Sequence, residues 1–105
     1  MRGCLSCVVC VVESESSVDA LIRAGIYATT WAGGATSPNL GRLASVLAGV
    51  KVLVVPDNDP VGRTCGTDVS AALTSAGCHV VTLLPNREGD DARDLLANGG
   101  LPRLF

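Results

Sequence analysis

The chain has 105 residues, which is the size of one domain, and its composition is that of a folded protein. Hydrophobic residues make up 48% of it and charged residues 17%, which excludes an intrinsically disordered chain. A formal net charge of −2 excludes binding of nucleic acid through a broad basic surface. No apolar run approaches the roughly 18 residues of a membrane span. The odd number of cysteines, five, favours reduced thiols and a cytoplasmic protein.

Short β-branched runs alternate with segments rich in Ala and Leu, and Gly or Pro separates most of them. The first run is apolar throughout, as is typical of a strand buried on both faces of a sheet. Ser16 and Asp19 resemble a capping box at the start of the first helix, and Gly25 is placed to end that helix. The pattern predicts strands at 8–12, 26–30, 50–55 and 78–84, and helices at 16–24, 38–48, 60–76 and 91–97.

Apolar strands that alternate with helices are the pattern of a parallel sheet covered on both faces. We therefore predict an α/β fold of the compact Rossmann-like kind, with about four parallel strands and helices on both faces. No repeat, low-complexity segment or linker interrupts the chain, so we expect a single domain over residues 1–105.

Seven of the ten acidic residues follow the carboxyl ends of predicted strands. In an open parallel sheet, ligands bind beyond these ends. Carboxylates gathered there raise each other's pKa unless a cation neutralises them, and oxygen ligands without His or Cys favour Mg²⁺ or Mn²⁺. The seven are Glu13 and Glu15 after the first strand, Asp57 and Asp59 after the third, and Glu88, Asp90 and Asp91 after the fourth.

The Asp-x-Asp segment has two simpler interpretations. Residues 56–62 are built from common turn residues, so the segment could be only a turn. Asp57, Asp59, Gly62 and Asp68 also match four positions of an EF-hand calcium loop. Acidic residues at the ends of two other strands weigh against the turn. A valine at a ligand position and the preceding buried strand weigh against the calcium loop.

Two segments together resemble the TOPRIM domain that primases, topoisomerases and several nucleases share. Val11-Val12-Glu13 stands where that family has an apolar pair and a glutamate. Asp57-Asn58-Asp59-Pro60-Val61-Gly62-Arg63 matches the family's Asp-x-Asp-x-x-Gly-Arg segment. This second segment is similar to the bacterial and phage primase and primase-helicase branch in particular, as is the acidic residue, Asp91, that opens the last helix. The resemblance covers about residues 8–100.

The resemblance implies a divalent-metal-dependent phosphoryl or nucleotidyl transfer module of primase type, which acts in primer synthesis during DNA replication. Carried over by position, Asp57, Asp59 and Asp91 hold Mg²⁺ or Mn²⁺. Glu13 is a further metal ligand or a general acid/base, as the corresponding glutamate is in relatives that cut strands.

Three more residues of the same edge are weaker candidates for the site, namely Glu15, Asp90 and Arg63. Arg63 is expected either to bind a phosphate in a bidentate manner or to pair with a nearby carboxylate. One residue departs from the family pattern, because Ser14 replaces the glycine that follows the first glutamate. A serine there is expected to crowd a phosphate or metal that approaches the backbone.

The resemblance also implies the partners, which are nucleic acid (a DNA template and primer) and nucleoside triphosphates. Primases surround this module with further domains that supply much of the template and nucleotide surface. We therefore expect the chain to work with additional primase or helicase domains and to be inactive alone. Two alternatives stay open: a non-catalytic TOPRIM module that binds metal or nucleotide, and a TOPRIM nuclease acting on DNA or RNA.

Overall fold

The computed structural model describes residues 8–31 and 38–97, and strands alternate with helices there as predicted. The predicted single domain also includes 1–7, 32–37 and 98–105, which lie outside the described residues. No helix in the described part is long and apolar enough to cross a membrane. The elements are β1 (Val8–Val12), α1 (Glu15–Arg23), β2 (Ala28–Thr30), α2 (Pro38–Val46), β3 (Lys51–Val55), α3 (Pro60–Ser75), β4 (His79–Thr82) and α4 (Ala92–Ala97).

The strands form one parallel sheet in the order β2-β1-β3-β4, which confirms the predicted α/β fold. β1 pairs with β3 over its whole length, from Val8 opposite Lys51 to Val12 opposite Val55. The chain therefore moves to one side of β1 to form β2 and to the other side to form β3. This is a topological switch point, the place in an open α/β sheet where ligands bind.

Apolar side chains of the central strands fill a core on each face of the sheet. On one face, Val11, Val52 and Val54 pack with residues of α2 and α3, and Trp31, after β2, is buried among them. The opposite face carries the residues between them in the strands, which pack with α1 and α4. The central strands are apolar throughout because helices cover both of their faces.

Three strands begin later than the sequence predicts: β3 by one residue, and β2 and β4 for a reason that lies in the ends of the preceding helices. After α1, Gly25 has a φ of +86°, and the N–H of Ile26 donates to a carbonyl of the last helical turn. Gly77 and Cys78 repeat this arrangement after α3. The residue after each glycine thus completes a Schellman cap and cannot yet belong to a strand. The prediction of strands from 26 and 78 was wrong by one or two residues.

β4 is less buried than its apolar sequence predicts. It lies at one edge of the sheet and pairs only with β3 among the described strands. His79, Val81 and Thr82 are exposed, and only Val80 packs against the core. The helices on both faces of the sheet thus leave most of β4, its edge strand, uncovered.

The cap of α1 also differs from the prediction. Its N-cap is Ser14, whose hydroxyl accepts a hydrogen bond from the N–H of Ser17 at 3.3 Å. The helix therefore begins at Glu15, one residue before the expected start, and Ser16 is inside its first turn. An extended N-cap with a serine oxygen satisfies an N–H that has no partner within the helix.

The first half of α3 lies directly against the loop from which it starts. A Cβ on Gly66 would lie 2.7 Å from the Cβ of Pro56, which is itself buried. A Cβ on Gly62 would overlap the carbonyl oxygen of Asp57. Two glycines one helical turn apart thus let the helix approach the loop that carries the Asp-x-Asp segment.

We expect Gly66→Ala to destabilise the protein by about 1–3 kcal/mol, because the new methyl group overpacks against Pro56. The sign is informative, since Gly→Ala inside a helix ordinarily stabilises by about 1 kcal/mol. Urea unfolding measures the change in the free energy of unfolding. Thr67→Ala, at an exposed position of the same helix, is the control and should stay within about 0.5 kcal/mol of the parent. A stabilised Gly66→Ala protein would contradict the close approach.

Candidate metal centre

Glu13 and Asp57 lie side by side at the carboxyl edge of the sheet. Val12 and Val55 are paired, so Glu13 is one residue beyond the end of β1 and Asp57 two beyond the end of β3. Both side chains are partly buried, and Oε1 of Glu13 is buried without a hydrogen-bond partner among the described residues. A buried carboxylate oxygen without a donor is energetically costly, and a cation would remove that cost.

Neighbouring carboxylates raise the pKa of Glu13 and of Asp57. Burial raises the pKa of Glu13 above its ordinary value; the charges of Asp57 and Asp59 add to the rise, which the backbone N–H of Asp57 partly offsets. Burial also raises the pKa of Asp57, and the charges of Asp91 and Asp59 act in the same direction, against a smaller opposing effect of Arg93. Glu13 therefore lies within electrostatic reach of Asp57 and Asp59, and Asp57 within reach of Asp59 and Asp91.

Asp59 is held by the helix that it starts. Its Oδ1 accepts a hydrogen bond of 2.6 Å from the N–H of Gly62, and Pro60 occupies the first helical position. The N–H of Asp59 donates to the carbonyl of Asp57 at 3.0 Å, which closes a tight turn. An aspartate followed by proline favours this helix start, as the sequence predicted. Since capping uses Oδ1, the second carboxylate oxygen can contribute to a cation.

Asp91 is engaged with its own helix. Its Oδ1 accepts from the N–H groups of Arg93 at 2.8 Å and Asp94 at 3.3 Å, and its Oδ2 accepts from the Arg93 guanidinium at 2.9 and 3.2 Å. The Asp94 carboxylate in turn accepts from the N–H of Asp91, which completes a capping box. Burial opposes ionisation of Asp91, but these donors outweigh it and lower the pKa. Asp91 would have to exchange Arg93 for a metal in order to bind one.

Arg63 pairs with a nearby carboxylate, which is one of the two roles expected for it. Its Nη1 donates to Glu88 at 3.0 Å and to Oδ1 of Asn58 at 2.8 Å. Both charged partners are substantially exposed, so the ion pair itself contributes little to stability. The structure therefore places Arg63 as a link between two loops.

Glu15 and Asp90 do not contribute to the pKa shifts of Glu13 and Asp57. Glu15 is exposed in the first turn of α1, where a negative charge complements the helix dipole. Asp90 contributes its backbone, because its carbonyl accepts from the N–H of Asn58 at 2.8 Å.

Asn58, which the sequence analysis did not select, is a buried residue of this edge that bonds to the following loop. It is buried, its Nδ2 donates to the carbonyl of Pro85 at 2.7 Å, and its carbonyl accepts from the N–H of Gly89 at 2.7 Å. Asparagine between two aspartates is typical of an exposed turn. The only sequence signal of a buried role was its place in the Asp-Asn-Asp-Pro segment.

The structure excludes the calcium-loop interpretation of the Asp-x-Asp segment. An EF-hand needs a 12-residue loop to wrap round the ion. Gly62 and Asp68 both lie inside α3, however, so the residues that would close the loop belong to a continuous helix. The simple-turn interpretation describes the backbone correctly but does not explain why the carboxylates of Glu13 and Asp57 lie together here.

The donor set fits a hard divalent cation that keeps much of its water. Among the described residues, no group of three or more His, Cys, Asp or Glu side chains is arranged to hold a metal ion. Mg²⁺ does not need three protein ligands, because one or two carboxylates and several waters satisfy it. Oxygen donors, the orphaned oxygen of Glu13 and the mutual repulsion of the carboxylates all match that use.

Ser14 does not require the freedom of the glycine it replaces. Its φ of −126° and ψ of 155° describe an extended backbone that any residue adopts. Its hydroxyl is hydrogen-bonded to Ser17 and lies 3.2 Å from the hydroxyl of Ser16. The side chain is thus occupied in starting α1.

A comparison with known proteins agrees with this geometry. The family model described as Toprim domain matches residues 8–101. The match includes the strand ends that carry Glu13 and Asp57 and the loop that carries Asp91. No curated protein and no solved structure matches the chain.

We expect Asp57→Asn to raise the melting temperature of the metal-free protein by a few degrees at pH 7. The folded state binds the Asp57 proton more tightly than the unfolded chain, whose ordinary pKa is 3.8. The stability that this proton contributes is therefore present at low pH and lost as the pH rises through the folded pKa. The gain from Asp57→Asn should disappear below pH 3.8, where the parent residue is neutral in both states.

Calorimetry at a series of pH values in chelator-treated buffer measures this difference. Asp68→Asn, at an exposed position on α3 away from the edge, is the control and should leave the melting temperature unchanged. A lower melting temperature for Asp57→Asn at pH 7 would show that the carboxylate is stabilised by the protein rather than strained.

Proposed function

The chain belongs to the Toprim domain family, and from that membership we propose that it is the nucleotidyl-transfer module of a primase-type enzyme. Toprim domains bind divalent metal ions, generally Mg²⁺, and associate with nucleic acid. The finer proposal is that this module adds nucleotides to a primer during DNA replication.

One observation carries the proposal: the carboxylates of Glu13 and Asp57 lie at the switch point of the sheet, and the charge of Asp57 disfavours ionisation of Glu13. Such a pair is costly in a protein that binds nothing there. It becomes favourable when a divalent cation neutralises both groups. The cation aligns nucleotide phosphates and offsets the charge that develops on them during transfer.

We assign the roles by position in the motif. Asp57 and Asp59 hold the metal, and Asp91 is a further ligand once Arg93 is displaced. Glu13 acts as a ligand or as a general acid/base, for which a raised pKa is suitable because the group can then carry a proton closer to neutral pH.

The primase branch is supported by how its segment is used in the fold. Asp59 and Pro60 start α3, Gly62 permits the contact with the carbonyl of Asp57, and Arg63 links this loop to the next one. Each residue type of the Asp-x-Asp-Pro-x-Gly-Arg segment thus has a separate physical task.

The partners follow from charge. An acidic edge repels the phosphates of a DNA template, a primer or a nucleoside triphosphate, so their approach depends on bound metal or on a basic neighbour. We propose that additional primase or helicase domains supply that basic surface.

We expect the chain to bind Mn²⁺, and we expect Asp57→Asn and Asp59→Asn to weaken this binding by about tenfold or more. Electron paramagnetic resonance measures free Mn²⁺ during titration, and calorimetry measures the stabilisation, about 2.7 kcal/mol at 100 times the Kd. Asp68→Asn is the charge-matched control and should bind as the parent does. Equal binding by the parent, Asp57→Asn and Asp59→Asn would refute the metal centre.

The reaction is tested with the chain joined to its neighbouring domains, on single-stranded DNA with nucleoside triphosphates and Mg²⁺ or Mn²⁺. We expect the parent protein to synthesise short primers and the Asp57→Asn variant to synthesise none. Cleavage of DNA or RNA without synthesis would instead identify a nuclease. Metal binding without either reaction would identify a non-catalytic module.

A further inference from the structure

Asn58 is one of two polar residues that are buried in the described part of the chain, the other being Ser17. It lies between Asp57 and Asp59 in the tight turn that the N–H of Asp59 closes on the Asp57 carbonyl. Its buried amide is hydrogen-bonded to the Pro85 carbonyl and to Arg63, so it is engaged within the protein and not with the two aspartates.

The amide and backbone of Asn58 make four hydrogen bonds, and three of them reach the loop between β4 and α4. Nδ2 donates to the Pro85 carbonyl at 2.7 Å, and the backbone N–H of Asn58 donates to the Asp90 carbonyl at 2.8 Å. The backbone carbonyl of Asn58 accepts from the N–H of Gly89 at 2.7 Å. The fourth bond joins Oδ1 to Nη1 of Arg63 at 2.8 Å.

The bonding requires both ends of an amide. One end must donate to a carbonyl and the other must accept from a guanidinium, which an asparagine does with a single side chain. An aspartate keeps the acceptor but sets a carboxylate oxygen against the Pro85 carbonyl. Gly89 contributes to the fit, since its φ of +88° is a conformation that favours glycine.

A second contact strengthens the same connection. Arg63, which Asn58 orients, also donates to Glu88 of the β4–α4 loop at 3.0 Å. The β3–α3 loop, with Asp57 and Asp59, is thus joined to the β4–α4 loop, with Asp91 at its end, by a buried amide and a half-exposed ion pair.

We propose that Asn58 is the positioning residue of the metal centre: it holds the Asp57–Asp59 loop at a fixed distance from the Asp91 loop. This inference rests on the proposed metal-binding function. Its physical basis is that carboxylates from separate loops repel one another without a cation, so hydrogen bonds must hold the loops together before the metal arrives. Outer hydrogen bonds of this kind orient metal ligands in general.

The test is Mn²⁺ titration of the 105-residue chain carrying Asn58→Ala or Asn58→Asp. We expect Asn58→Ala to raise the Kd by about 10–100-fold. Asn58→Asp separates positioning from charge. If position matters, the nearly isosteric variant also binds Mn²⁺ more weakly; if only the number of negative charges matters, it binds more tightly. Tighter binding by Asn58→Asp would overturn the inference.

Val52→Ala is the control for general destabilisation. Val52 is buried in β3 at the end of the sheet opposite the carboxylates. The variant should lower the melting temperature and leave the Kd for Mn²⁺ unchanged, whereas Asn58→Ala should change both. Glu88→Gln, which loosens only the outer contact, should raise the Kd by about two- to threefold and gives a folded variant even if Asn58→Ala does not fold.

Hydrogen exchange gives a readout that needs no metal. The amide proton of Gly89 should exchange at least tenfold faster in Asn58→Ala than in Val52→Ala, because the tie between the loops is lost. If the parent binds Mn²⁺ and Asn58→Ala binds it equally well, the positioning role is refuted and the metal centre stands. If the parent does not bind Mn²⁺, the proposed function itself fails.

Discussion

Repulsion between carboxylates is the constraint on which the arrangement of this protein depends. Pairing of β1 with β3 brings Glu13 and Asp57 to one point of the sheet edge, and the turn after Asp57 brings Asp59 to the same place. Neither strand can move away, because their apolar residues form the core on both faces. The electrostatic cost is therefore built into the fold and is lowered only by protons or by a cation.

Each carboxylate is restrained in a different way, and the differences suit different roles. Asp59 and Asp91 cap helices, which fixes their orientation. Glu13 has a buried oxygen without a partner among the described residues, and the pKa of Asp57 is raised by the charges of Asp91 and Asp59. Two carboxylates are thus anchored by helix starts, and the other two have raised pKa values. A bound cation would stabilise the ionised forms of Glu13 and Asp57 most. General acid/base catalysis also requires a group with a raised pKa.

The sequence predicted the fold, and with it the meeting of Glu13 and Asp57 at one sheet edge, because both follow from local patterns. Apolar runs, helix caps and glycines identify the alternating elements, and parallel strands bring their carboxyl ends together. Side-chain partners over longer distances were not predictable in the same way. The engagement of Asp91 with Arg93, the exposed edge at β4 and the burial of Asn58 each depend on which surfaces meet after folding.

Two glycine positions of the family pattern differ in whether the fold of this chain requires glycine there. The residue pattern alone does not reveal this difference. Gly62 cannot be replaced without overlap with the carbonyl of Asp57, because the helix starts in contact with that group. The family glycine that follows the first glutamate is replaced by Ser14, whose extended conformation needs no glycine and whose hydroxyl caps α1. The first constraint is steric and lies within the chain. The second position imposes no such constraint on the fold, and the expectation that Ser14 crowds an approaching phosphate or metal stays a prediction.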